Sequence, residues 1–302
     1  MTSYASPPTP PLDAAGNVVV DLPCRKCAYN LRTLSINGRC PECGTAVGFS
    51  AQGDLLRFSD PGWVMTLHRG VVLILVGIAV IILGVLLAVL IGFTGAVTVT
   101  AVVAGAAGLV GYVLILIGTW LLTAPDPSGL GEDRYGTSRK LIRITMLIGL
   151  ASQALELIEA GFTLPATLAV LFAIVQFLAG IAGVVGVFAQ LQYIGKLAMR
   201  IPDEQIVGRA NFLKIAIAVS YGLIVLIGTV TALGARGAGA GAPPGGLIAA
   251  LGCFAAIVGL AFLVFAIMYL LMLDRLRRAL KEQAQYATQT WAAGAAPQVA
   301  RA

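Results

Sequence analysis

Hydrophobic residues along this chain gather into six long runs, at about 69–92, 97–123, 141–161, 165–195, 211–234 and 246–273, with short polar stretches between them. They do not alternate with polar residues as in a half-buried strand. Each run can cross ~30 Å of hydrocarbon at ~1.5 Å per residue. The first has a readable start, because Asp60 can cap a helix with Pro61 at its first position, and Trp63 suits a membrane interface. The last is expected to leave the bilayer as a helix through "DRLRRALKEQAQYATQ", with a disordered tail after Trp291. The pattern predicts an all-α polytopic membrane protein of six transmembrane helices arranged as three hairpins.

Composition supports this class: only 11% of residues are charged, and the mean hydropathy is +0.91. The net charge of +6 changes the picture through its placement. From the N-terminus onward, successive segments outside the runs, each counted into the first turn of the run that follows, carry six, none, four, none, four, one and five Lys or Arg residues. With an even number of spans, the positive-inside rule puts both termini in the cytoplasm. Arg275, Arg277, Arg278 and Lys281, just past the last run, are expected to meet anionic lipid headgroups, each worth ~1 kcal/mol.

No apolar core of signal-peptide length occurs in residues 1–22, where Pro7, Pro8, Pro10 and Pro11 point to a disordered leader. The expected plan is then a cysteine-rich module over 23–50, a linker with an interfacial helix start over 51–68, the membrane domain over 69–273, and a basic helix and tail over 274–302. "GFT" recurs at Gly92 and Gly161, and "PD" at Pro125 and Pro202. This spacing fits a triplicated two-helix unit, but any two spans with their loops need about as many residues, and with so few residues shared the second reading is favoured.

The module holds Cys24, Cys27, Cys40 and Cys43 as two Cys-x2-Cys knuckles twelve residues apart. Four thiolates in a tetrahedron suit one Zn²⁺ and leave no open position, so a structural role is expected. Asn37-Gly38 is placed to turn a β-hairpin between the knuckles. Arg25, Lys26, Arg32 and Arg39 are positioned to offset the negative charge of such a centre. A module this small, with Leu31, Leu34 and Ile36 as its apolar content, needs a metal in place of a core. A reducing cytoplasm disfavours disulfides. Rubredoxin-like iron is the competing chemistry, although only Tyr29 is a nearby aromatic.

The stretch running from Cys24-x2-Cys27 through Tyr29, Leu31, Arg32 and Arg39 to Cys40-Pro41-Glu42-Cys43-Gly44 resembles short zinc ribbons of a group of bacterial proteins that are often fused to membrane helices. The resemblance covers under a tenth of the chain and implies bound zinc and an interaction role. Ala28 stands where that family usually has glycine, so the first knuckle is expected to be less bent.

Within the runs, ionisable side chains sit well inside the membrane only in the third. Counted from Leu141, Glu156 lies about 22 Å along the helix and Glu159 about 27 Å. Thr145, Gly149, Ser152, Glu156 and Glu159 form one stripe, with Gln153 beside it. A matching stripe of small and polar residues in the fourth run includes Gln176, Gly180 and Gly183. The two helices are expected to pack along these stripes. Gln153, Glu156, Glu159 and Gln176 are thus a candidate intramembrane polar site, whether as helix-to-helix glue or as a path for protons or cations.

These observations lead to a bacterial inner-membrane protein whose cytoplasmic zinc ribbon is an interaction or regulatory module with a cytosolic protein partner. No catalysis is expected, for no nucleophile paired with a base is visible. A small ion or solute transporter or channel using Glu156 is the alternative. A membrane-tethered nucleic-acid binder is a third, for which the basic residues are too few.

Overall fold

The computed structural model describes residues 10–51, 55–128, 132–161, 165–201, 203–237 and 245–292, and certain side chains within the helices, that of Glu159 included, lie outside it. Among the described residues the elements are α1 (Val47–Ala51), a 3-10 turn (Leu56–Phe58), α2 (Pro61–Gly92), α3 (Val97–Leu122), α4 (Glu132–Gly161), α5 (Ala166–Ala198), α6 (Glu204–Gly237) and α7 (Gly245–Ala292). The six helices α2–α7 are each long and apolar enough to cross a membrane.

Each long helix packs against its neighbours in sequence, and α7 returns to α2, so the six form a closed ring. Asp60 caps α2 as expected, Oδ1 accepting from the Trp63 amide at 2.8 Å. α4 and α6 begin well before their apolar runs. Their polar first turns are helical because they too have something to pack on: Tyr135, Ile206 and Ala210 are buried. α7 continues as expected far past its apolar run, and its last turns carry buried Leu280, Ala284 and Ala287.

α2 and α3 make the closest approach. A Cβ at Gly77 would lie 2.6 Å from Gly111 O, and one at Gly70 would lie 2.6 Å from Gly118 O. Lipid tails are as apolar as Leu, so helices in a bilayer associate through such backbone proximity rather than through exclusion of water.

Burial is concentrated at the end of the bundle that carries the cysteine module. Leu67, Val71, Leu122, Ile142, Ile194, Leu197, Leu213 and Leu276 fill that core, whereas Leu83, Leu90, Phe93 and Val97 near the opposite end are exposed, as a lipid-facing surface requires. The last carbonyls of α3 organise the module end. Leu122 O accepts from the Tyr193 hydroxyl (3.1 Å), Thr123 O from Arg143 Nη2 (3.0 Å) and Ala124 O from Trp63 Nε1 (3.1 Å). Three other helices thereby satisfy the carbonyls that a helix C-terminus leaves open. Trp63, expected at the membrane interface, is buried among the helices, with the Arg200 guanidinium 5.0 Å above its ring.

Two expectations for the N-terminal region are corrected. Residues 1–9 lie outside the described residues, but from residue 10 the expected disordered leader is folded: Leu12 bridges to Val18, and Val18, buried, exchanges backbone hydrogen bonds with Leu34 and Thr33. The expected β-hairpin is absent among the described residues, where isolated bridges pair Asn17 with Ser35, Pro23 with Asn30 and Arg39 with Ala46. Gly38 N donates to Ser35 O at 2.8 Å in a tight turn without the positive φ that a two-residue hairpin loop demands. With bridges of single residues there is no ladder to propagate, and the sulfur cluster takes the place of one.

Candidate metal centre and intramembrane cavity

The two knuckles repeat one geometry. Cys24 O accepts from Ala28 N and Cys40 O from Gly44 N, both at 2.9 Å, and Cys24 N and Cys40 N donate to Tyr29 O and Thr45 O, both at 2.8 Å. Gly44 turns the second knuckle at φ +72°, and Ala28 turns the first at +61°. The first knuckle is therefore bent like the second despite its side chain, at the left-handed conformation that costs an alanine ~1–2 kcal/mol.

This symmetry brings the four sulfurs within 4.8 Å of one another, with Cys24–Cys43 and Cys27–Cys40 at 3.6 Å. A tetrahedron with metal–sulfur bonds of ~2.3 Å has edges of about 3.8 Å, so the four cysteines can hold one metal ion with little rearrangement. The electrostatics among the four thiols are uneven. Burial pushes the Cys24 thiol up to about 12 and raises Cys27. Burial acts the same way on Cys43, but hydrogen bonding with the hydroxyl and backbone of Thr45, whose Oγ1 lies 3.3 Å from Sγ, and with the Cys27 and Cys24 thiols outweighs it and brings that thiol to about 6.

Arg25, grouped by sequence with the cations around the sulfurs, has a different task. It is 1% exposed, and Nη1 donates to Leu55 O (3.1 Å) and Ser59 Oγ (3.0 Å), while its amide donates to Ser50 Oγ. The module is thus bonded to the segment leading into α2. Phe49 stacks on Trp291 with centroids 5.5 Å apart, and Phe58 meets Tyr286 edge-on, which fastens the same region to the end of α7. Ser59 Oγ also accepts from Arg200 Nη2 (3.3 Å), whose main bond is to Asp126 Oδ2 at 2.8 Å. The other carboxylate oxygen of Asp126 accepts from the amide and hydroxyl of Ser128. A continuous polar chain therefore runs from the first knuckle to the loop after α3.

The basic residues expected at lipid headgroups have protein partners as well. Arg275 Nε lies 2.7 Å from Asp203 Oδ2, and its Nη1 bonds Gln205, which ties α7 to the start of α6. Arg277 and Arg278 both pair with Asp274. Lys281 is exposed.

Beyond the tight module-end core, α3–α6 line a half-open cavity of about 420 Å³. Gln153, Glu156 and Gln176 line it together, so the structure assembles three of the four residues of the polar site; the Glu159 side chain lies outside the described residues. Gln153 Nε2 donates to Glu156 Oε2 at 2.9 Å. Ser152 Oγ bonds the Gln176 side chain, whose Nε2 donates to Ser152 O at 3.2 Å, so this pair stitches α4 to α5. The stripe of small residues divides its contacts rather than forming one seam. Gly149 faces Tyr112 of α3, and Gly180 and Gly183 face Val225 and Tyr221 of α6. Tyr112 and Tyr221 are the lining residues that linear reasoning missed. Their only signal was a tyrosine isolated within an apolar run.

Compared with family models, curated proteins and solved structures, the chain matches none.

Proposed function

We propose that this is an integral inner-membrane protein whose four-cysteine zinc ribbon is a cytoplasmic regulatory module seated on its own six-helix bundle. The Arg25 contact carries this reading: a side chain from the middle of the first knuckle, fully buried, is bonded to Leu55 and Ser59 and so to the Arg200–Asp126 pair. Zinc is the ion that a closed set of four thiolates favours, and the alternation of Lys and Arg supports the cytoplasmic side. The outward surface of the ribbon, with Lys26, Tyr29, Arg32 and Arg39 exposed, is where a cytosolic protein partner would bind. With Arg25 taken into the dock, a role in nucleic-acid binding loses one of its four cations. The reading assigns no catalysis.

The test is metal analysis of the full-length protein beside Cys40→Ser and Arg25→Ala. One zinc per chain is expected in the parent and in Arg25→Ala, and none in Cys40→Ser. Both variants are expected to open the 51–60 segment to protease while the long helices stay protected. Unchanged protection in both would end the regulatory reading and leave the ribbon an independent domain.

A second reading is favoured by the cavity. Its position among helices that can span a membrane, and its polar groups around Glu156, support a solute pathway through the bundle.

A further inference from the structure

We infer that the cavity between α3 and α6 is a binding site for a small organic cation with an apolar body, such as a quaternary ammonium or phosphonium ion. The inference rests on the solute-pathway reading and names its substrate class. The argument begins with charge. Among the described residues lining the cavity, Glu156 alone is charged, and no Lys, Arg or His shares the lining. The Glu156 carboxylate is exposed in the fold and accepts from the Gln153 amide, and in a bilayer of low dielectric it favours a positive guest over a neutral or negative one.

Size and shape decide which positive guest. A proton needs no chamber, and a bare metal ion needs several oxygens converging at 2–2.6 Å. Among the described lining residues a single carboxylate gives no charged coordination shell for an inorganic ion, and about 420 Å³ is no narrow relay. The volume falls instead in the range of small-molecule pockets, which are mostly apolar with few polar anchors. The remaining walls agree. Phe177, Tyr112 and Tyr221 line the same space and present aromatic rings, which attract an organic cation through the ring quadrupole. Tyr112 is held by its bond to Met146 O at 3.2 Å, and Tyr221 by packing on Phe262 with centroids 6.4 Å apart. The rings are thus positioned without a ligand. The glycines beside them, Gly149 and Gly183, leave room for the hydroxyl ends of those rings, which a Cβ there would meet.

The experiment measures binding of radiolabelled tetraphenylphosphonium to the full-length chain in phosphatidylcholine nanodiscs, with empty nanodiscs subtracted. Saturable binding is expected, at least tenfold weaker in Glu156→Gln, within threefold of the parent in Glu156→Asp, and lost in Ala173→Trp, which fills the cavity. Each variant is first checked for parental helicity and elution volume. Benzyltrimethylammonium is expected to compete, and its neutral isostere neopentylbenzene is not. No saturable binding by the parent overturns the inference. Equal binding by Glu156→Gln, or equal competition by the neutral isostere, overturns the cationic class, and retained binding in Ala173→Trp overturns the location. Uptake into liposomes is measured separately: binding without flux rejects the pathway reading and leaves the site standing.

Discussion

Arg200 Nη2 lies 2.8 Å from Asp126 Oδ2, with side-chain exposures of only 3% and 5%, and the pair joins the loop after α3 to the end of α5. The next "PD" aspartate repeats the arrangement: Asp203 Oδ2 takes Arg275 Nε at 2.7 Å, and the two pairs span 74 and 72 residues of chain. Each hairpin is thus pinned to the following one through an aspartate after the first and an arginine near the end of the second. A buried pair of this kind is maintained by its geometry and its extra hydrogen bonds, here from Ser128 and Ser59.

Asp126→Asn is therefore expected to destabilise the bundle by about 3–5 kcal/mol, because it leaves the Arg200 charge buried without its counter-ion. Asp126→Leu with Arg200→Met is expected to recover most of that loss. A double-mutant cycle by reversible unfolding in mixed micelles checks this, and additive losses would show that the pair is not coupled.

Gly77→Leu is expected to separate α2 from α3, since even a Cβ there would lie 2.6 Å from Gly111 O. Overpacking of this kind typically costs about 1–3 kcal/mol. Gly228→Ala, at a position with nothing within 4 Å, serves as the control and is expected to leave the melting temperature unchanged.

Ala28→Gly is expected to stabilise the ribbon by about 1 kcal/mol, because a residue at φ +61° gains by losing its Cβ. The same change at Ala46, which has no positive φ, is expected to bring no gain. Resistance of the bound metal to a graded chelator series reads both.

Metal affinity is expected to rise with pH. Cys24 sits at about 12 and Cys27 is raised, so both are thiols near neutrality and must each release a proton when they bind, whereas Cys43, at about 6, is already mostly thiolate. At least two protons are released on binding, which implies a gain of at least about a hundredfold per pH unit around neutrality. Chelator competition between pH 6 and 8 measures the slope, and a flat profile would mean that the thiolates form before the metal arrives.

The amino-acid sequence by itself determined the six helices and the four-sulfur cluster, because both depend on local information. Length and hydropathy suffice for a helix that can cross a bilayer, and two Cys-x2-Cys turns suffice to aim four sulfurs at one point. It also marked Gln153, Glu156 and Gln176 as polar groups worth watching, because such groups are rare in apolar runs. Tertiary structure alone decided where Arg25 went. In the sequence it is one of several cations beside the cysteines, and only the meeting of the ribbon with Leu55 and Ser59 makes it a buried anchor. The same holds for the cavity. Small and polar residues at helical spacing say that helices can approach, but not which helix each residue will face. Gly149 turned to α3 and Gly183 to α6 because the ring places α4 and α5 each between two neighbours. Periodicity is a property of one helix, whereas a site between four helices belongs to their arrangement.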